Sequence, residues 1–128
     1  MHDVERTEYG LELQISGYMD ESEMNEFCSE TRRRIDRQIG EFCVFADHRG
    51  LKALPDEAAA ELADLMAYAA RNGLRRSAAV CDSATTTLQT QRLAEKARNG
   101  EHSVFIDADE VTDPHHAALE WFENGRRP

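Results

Sequence analysis

The sequence predicts a single α/β domain with a mixed sheet of about five strands and about four helices, and three observations carry that reading. The hydrophobic period switches repeatedly along the chain between 2 residues and about 3.6. Two short alternating segments at the start are separated only by Tyr9-Gly10, which is hairpin spacing. Later apolar runs are separated by amphipathic stretches of about a dozen residues or more, the length a parallel crossover needs. A flavodoxin-like, all-parallel sheet with residues 4–15 as one strand is the competing arrangement.

The elements follow in order. Residues 4–8 form a weak strand, and Leu11, Leu13 and Ile15 alternate with Glu12, Gln14 and Ser16 as a half-buried one. Met24, Phe27, Cys28, Thr31 and Ile35 then fall at helical spacing, with Asp20 and Glu23 resembling a capping box and Gly40 as the stop. The run Phe42-Cys43-Val44-Phe45-Ala46 reads as a central strand covered on both faces. Ala58, Leu62, Leu65, Met66 and Ala69 form one stripe opposite Glu57, Glu61, Asp64 and Arg71, bounded by Pro55-Asp56 and Asn72-Gly73. Residues 78–81 are a short buried strand. The segment 86–98 is a weakly amphipathic helix with Leu88, Leu93, Ala94 and Ala97 inward, and residues 104–106 form the last strand. Asp113-Pro114 opens a final helix with Ala118, Trp121 and Phe122 inward, ended by Gly125.

At 128 residues the chain has room for one core and no second domain. Its three Cys cannot all pair, and each sits inside a hydrophobic pattern, which reads as reduced thiols and a cytoplasmic location. With 25 acidic against 15 basic residues the net charge is −10, which argues against nucleic acid and against an anionic membrane surface as partners. No apolar run is long enough to span a bilayer.

Several segments together resemble the STAS domain, the anti-sigma-factor-antagonist-like fold of bacterial regulators and anion-transporter tails. Gly17-Tyr18-Met19-Asp20 is similar to that family's Gly-x-hydrophobic-Asp at the close of the second strand. Phe42 to Asp47 is similar to its hydrophobic strand ending in Asp, and Ala69-Ala70-Arg71-Asn72-Gly73 to its Ala-Arg-x-x-Gly helix end. The likeness extends over residues 4–122. Ala46-Asp47-His48-Arg49-Gly50 followed by an Ala-rich helix also resembles small free-standing STAS-like proteins. The resemblance implies a regulatory or ligand-sensing module that acts by binding a protein partner, without catalysis and without a cofactor. In the family a Ser or Thr at the start of the second main helix is phosphorylated. Here Asp56-Glu57 occupies that place and the hydroxyl is missing, so the resemblance implies a module without the phosphorylation switch.

The candidate site residues lie where α/β sheets gather ligands, at the carboxyl ends of the strands. Asp47, Asp82 and Asp107 each end a strand, a set that would suit Mg²⁺ if the three converged and that otherwise reads as ordinary turn and cap residues. His48 and Arg49 offer a polar, partly cationic corner for an anion or a partner. Ser83 opens the third helix, where Thr85, Thr86 and Thr87 add hydroxyls beside free backbone N–H groups. Asp56 and Glu57, with Glu61 and Asp64, form an acidic rim on the second helix. No spacing of the five His and three Cys suits zinc, Cys81 lacks an evident activating cation, and no phosphate-binding loop is present. A homodimer through helix faces near Trp121 and Phe122 is a further expectation. The first strand's charges, Asp3, Glu5, Arg6 and Glu8, guard it against edge pairing.

Overall fold

The alternating and continuous apolar runs pair into one five-stranded sheet, as described by a computed structural model covering residues 1–128. The strands are β1 (His2–Arg6), β2 (Gly10–Ile15), β3 (Phe42–Asp47), β4 (Leu74–Cys81) and β5 (Ser103–Asp107), and they lie side by side in chain order. β1 and β2 are antiparallel, and every later pairing is parallel. This is the mixed sheet with a leading hairpin, and the all-parallel arrangement is excluded. Four helices complete the domain: α1 (Glu21–Asp36), α2 (Asp56–Arg71), α3 (Ala84–Lys96) and α4 (Pro114–Asn124).

Sequential strand order with right-handed crossovers places the connecting helices on one side of the sheet. Met24, Phe27 and Ile35 of α1 and Ala58, Leu62 and Leu65 of α2 accordingly pack on Leu11, Leu13, Ile15 and Val44. The opposite face of β3 to β5 is covered by α4, whose Ala118, Trp121 and Phe122 meet Cys43, Phe45, Ala78, Val80, Val104 and Ile106. β3 therefore feeds two cores, which is why its run is apolar without interruption. Trp121 and Phe122 are 5% and 1% exposed. They are interior residues of this chain.

Four element details differ from the sequence reading. β1 ends at Arg6, because Thr7 and Gly10 close a two-residue turn over Glu8-Tyr9, with Thr7 N–H donating to Gly10 O at 2.9 Å. Gly10 is thus a strand residue: its φ is +145°, and a Cβ there would lie 2.3 Å from the Cys43 carbonyl oxygen. β4 begins at Leu74, four residues before the apolar run, since Arg75 and Arg76 carry their guanidinium groups to the carbonyls of Trp121 and Phe122 at the end of α4. Cations are favourable at that helix terminus. The buried side of α3 is Thr86, Thr90 and Ala94, whereas Leu88 is 49% exposed. The threonines tolerate burial because their hydroxyls find carbonyl partners, Thr90 Oγ1 donating to Thr86 O at 3.0 Å and Thr86 Oγ1 to Leu51 O at 3.0 Å. In the capping box at α1, Asp20 accepts from Glu23 N–H at 2.8 Å, but the Glu23 carboxylate turns to His2 Nδ1 at 2.9 Å.

No helix of the structure is long and apolar enough to cross a membrane.

Candidate functional site

At the carboxyl end of the sheet, β3 runs on into a loop that its neighbours hold at every step. His48 N–H extends the ladder to Val80 O at 2.8 Å. Gly50 N–H is received by both carboxylate oxygens of Asp82 at 3.1 Å. Gly17 N–H donates to Gly50 O at 2.9 Å and Lys52 N–H returns to Gly17 O at 3.0 Å, which ties the loop after β2 to the loop after β3. Leu54 is gripped on both sides by Gln89: its N–H donates to Oε1 and its carbonyl accepts from Nε2, both at 2.9 Å. A carboxamide used in this way stands in for a neighbouring strand and satisfies backbone groups that burial would otherwise leave unpaired. The loop is therefore a rigid ledge.

Most of the predicted site residues build this ledge. Asp47 accepts from Arg49 Nε at 3.0 Å, Arg49 Nη2 at 2.8 Å and Arg49 N–H at 3.0 Å. Its carboxyl lies below the usual range because the hydrogen bonds and charge of Arg49 outweigh the opposing effect of burial, which is the largest single influence. Arg49 remains 44% exposed at its side chain. Ser83 caps α3 by accepting from Thr86 N–H at 3.3 Å, and Thr87 Oγ1 donates to Ser83 O at 2.7 Å. Of the four hydroxyls at this helix start, three have partners within the protein and Thr85 points to solvent. Asp56 and Glu57 are exposed in the first turn of α2, where negative charge suits the helix dipole. The N-cap position belongs to Pro55, with no side-chain cap, so Asp56 is not the capping residue.

The three strand-ending acids do not converge. Asp47 shares a rung with Val80, and Asp107 pairs with Cys81 one residue further along. By the alternation of a strand, the two project from opposite faces of the sheet. Asp107 accepts from Asp109 N–H at 2.9 Å, an Asx turn. No group of three His, Cys, Asp or Glu side chains is arranged to hold a metal ion.

His48 is the largest departure from expectation. It is 5% exposed, on the helix-covered side of the sheet, and its Nδ1 has no hydrogen-bond partner. Burial drives its pKa down to about 4 against a weaker upward pull from Asp47, so the ring is neutral and the polar corner is presented by Arg49 alone. The thiols are equally withdrawn. Burial pushes Cys28 up to about 12 and raises Cys81 as well, so neither is a nucleophile.

Two residues on this edge had no weight as site candidates in the sequence. Tyr18 is 66% exposed on the tied loop after β2, and Leu88 stands out in the second turn of α3. Tyr18 was legible only as the variable position of a motif. Leu88 looked like a core residue of its helix. The arrangement is an ordered, exposed edge with an aromatic ring, an aliphatic side chain, one guanidinium and acidic groups.

No known family model matches the chain, and neither a curated protein nor a solved structure does.

Proposed function

We propose that this protein is a non-enzymatic regulatory module that binds a protein partner through the carboxyl edge of its sheet, with a STAS-like architecture and no phosphorylation switch. The observation that carries the reading is the ledge at 47–54. Asp82, Thr86 and Gln89 hold its backbone in one conformation, and it sits beside Tyr18, Arg49, Asp56 and Glu57. A pre-ordered surface loses little conformational entropy on association, and exposed Tyr and Arg are the side chains that most often carry binding energy. The absence of a hydroxyl at residues 56 and 57 supports control by constitutive binding or by ligand. A phosphate on Ser83 or one of Thr85, Thr86 and Thr87 in protein from its native host would show that the switch had moved to α3.

The test is capture and cross-linking from lysate of the native host with three baits: wild type, a Tyr18→Ser/Arg49→Ala double variant, and Ile39→Ser. Ile39 is 98% exposed in the segment between α1 and β3, at the amino end of the sheet. The reading expects a partner held by wild type and Ile39→Ser and lost from the double variant. An identical catch with all three baits rejects it. A thermal-shift series with Mg²⁺, nucleotides and small anions tests for a small-ligand site at the same edge, where Asp47, Asp82 and Asp107 do not converge on one ion, because a ligand that binds only the native state raises the melting temperature.

A further inference from the structure

Under α2 the sheet surface is made of small side chains. Ala46 on β3 and Ser77 and Ala79 on β4 line, together with Leu65 and Met66 of α2, a slot of about 80 Å³ that is partly open at its mouth. Fifteen of its twenty lining residues are hydrophobic; the hydroxyls of Thr31, Ser77 and Ser103 are bonded within the protein, which leaves His48 and Asn99 as the informative exceptions. His48 reaches it from the carboxyl end of β3, and Asn99 reaches it from the turn before β5. Both are buried, at 5% and 3% exposure, and each brings an unpartnered polar atom, His48 Nδ1 and Asn99 Oδ1. The Asn99 amide cannot turn to relieve this, since Nδ2 already donates to Met66 O at 3.3 Å. A buried polar atom with no partner is destabilising, and an apolar slot beside it loses dispersion contacts as well. Both penalties are relieved by the same kind of occupant.

We propose that the slot is an internal binding site for a small neutral molecule with an apolar body and one hydroxyl or amide N–H. Asn99 Oδ1 is an acceptor only and so calls for a donor on the ligand, and a ligand seated at the carboxyl end of the slot would meet His48 Nδ1 in the same way. Charge is excluded on the ligand because the slot holds no counter-ion. An engineered cavity of about 150 Å³ admits benzene, so this volume suits about three to five non-hydrogen atoms. Short-chain alcohols and amides meet all three conditions. The slot shares His48 with the ledge at 47–54, but its occupancy is read on the protein alone, without a partner.

The experiment is a titration of the full chain with 1-propanol, propionate and xenon, followed by the methyl resonances of Ala46, Ala79, Leu65 and Met66 in ¹³C–¹H spectra. The expected result is a saturable shift of these methyls with 1-propanol and none with propionate. Asn99→Ala is expected to weaken 1-propanol several-fold and to leave xenon unaffected. Ala79→Val, which fills the slot, is expected to abolish the response, and Ala46→Val serves the same purpose if the first variant does not fold. Three outcomes overturn the proposal. One is the absence of any saturable shift in the wild type. Another is xenon binding with no hydrogen-bond-dependent binding of 1-propanol, which marks a plain apolar void. The third is a pair of ordered waters on His48 Nδ1 and Asn99 Oδ1 that 1-propanol does not displace.

Discussion

The two faces of the sheet are built to different standards of cover. One carries α1, α2 and α3, which shelter every strand from β1 to β5. The other carries α4 alone, over β3 to β5; it reaches the hairpin only at Tyr9, whose ring lies 5.0 Å from that of Phe122, and at Glu12, and leaves the rest bare. On that bare strip Glu5 stands opposite Glu12 and Asp3 opposite Gln14, with Asp47 next in the second row. Asp3, Glu5, Glu12, Gln14 and Asp47 line an open, shallow depression. His115 of α4 closes the boundary between covered and bare, stacking on Phe45 with ring centroids 4.2 Å apart and meeting Glu12 at 2.8 Å. The asymmetry follows from topology. A sheet whose strands run in chain order receives all its crossover helices on one side, so only an element after the last strand can serve the other.

Packing quality runs the other way. The triply covered side contains the slot, whereas the α4 side is filled by Phe45, Trp121, Phe122 and Ile106, with Trp121 Nε1 donating to Ser77 O at 2.9 Å. More helices did not bring better filling, because Ala46, Ser77 and Ala79 leave gaps that α2 bridges and does not enter.

Breaking the single cover is expected to have the largest effect. Trp121→Ala removes the main side chain of the only helix on its face, together with its hydrogen bond to Ser77. Denaturant unfolding should show a loss of about 4 kcal/mol, and hydrogen exchange should rise in β4 and β5 ahead of β2.

The second prediction concerns acid on the triply covered side. Folded His48 titrates near 4, below its ordinary 6.5, so the unfolded chain binds a proton that the native state refuses. Its contribution is complete above pH 6.5 and is lost as the pH falls toward 4, amounting to about 3 kcal/mol at most. His48→Phe removes the titrating group. The difference in unfolding free energy between wild type and variant should therefore shift by this amount, against the wild type, between pH 7 and pH 4. A constant difference would show that His48 is not buried as a neutral ring.

A third pair of substitutions reads the two packings directly on adjacent residues of β4. Ala78→Val pushes a branched side chain into the filled α4 side and should cost about 1–3 kcal/mol. Ala79→Val places the same atoms in the slot and should stabilise by about 1 kcal/mol. Equal signs in the two melts would erase the contrast between the faces.

The smallest effect is expected on the bare strip. Glu5→Lys turns a like-charge cross-strand pair with Glu12 into an opposite one and should stabilise by about 0.2–1 kcal/mol. The gain should shrink as salt is raised from low ionic strength, which a melting series at two salt concentrations will show.

Much of the architecture was legible in the sequence because it depends on local pattern. The hairpin, the two-faced run at Phe42 and the stripe from Ala58 to Ala69 each follow from the period of apolar residues, and the parallel direction of the later strands follows from crossover length, whereas their side-by-side order is a tertiary outcome. What escaped notice was polar residues doing structural work. Arg75 and Arg76 hid the first half of β4 because the carbonyls that receive them belong to α4, and the threonine face of α3 looked exposed because its carbonyl partners are set by the fold. The site was legible as positions and not as roles. Asp47, Arg49, Asp82 and Ser83 do lie at the carboxyl edge, yet nothing in their spacing shows that Asp82 holds Gly50 or that Gln89 holds Leu54.

By itself the sequence determined which segments become strands and helices and that the chain carries a large excess of negative charge, since these rest on residues near one another along the chain. Only the tertiary structure decided that His48 turns inward while Arg49 turns out, that Asp47 and Asp107 part to opposite faces, and that Asn99 meets a cavity floored by Ala79. Those outcomes depend on which strand lies beside which and which helix lies above, and a side chain's exposure, partners and ionisation are properties of that environment.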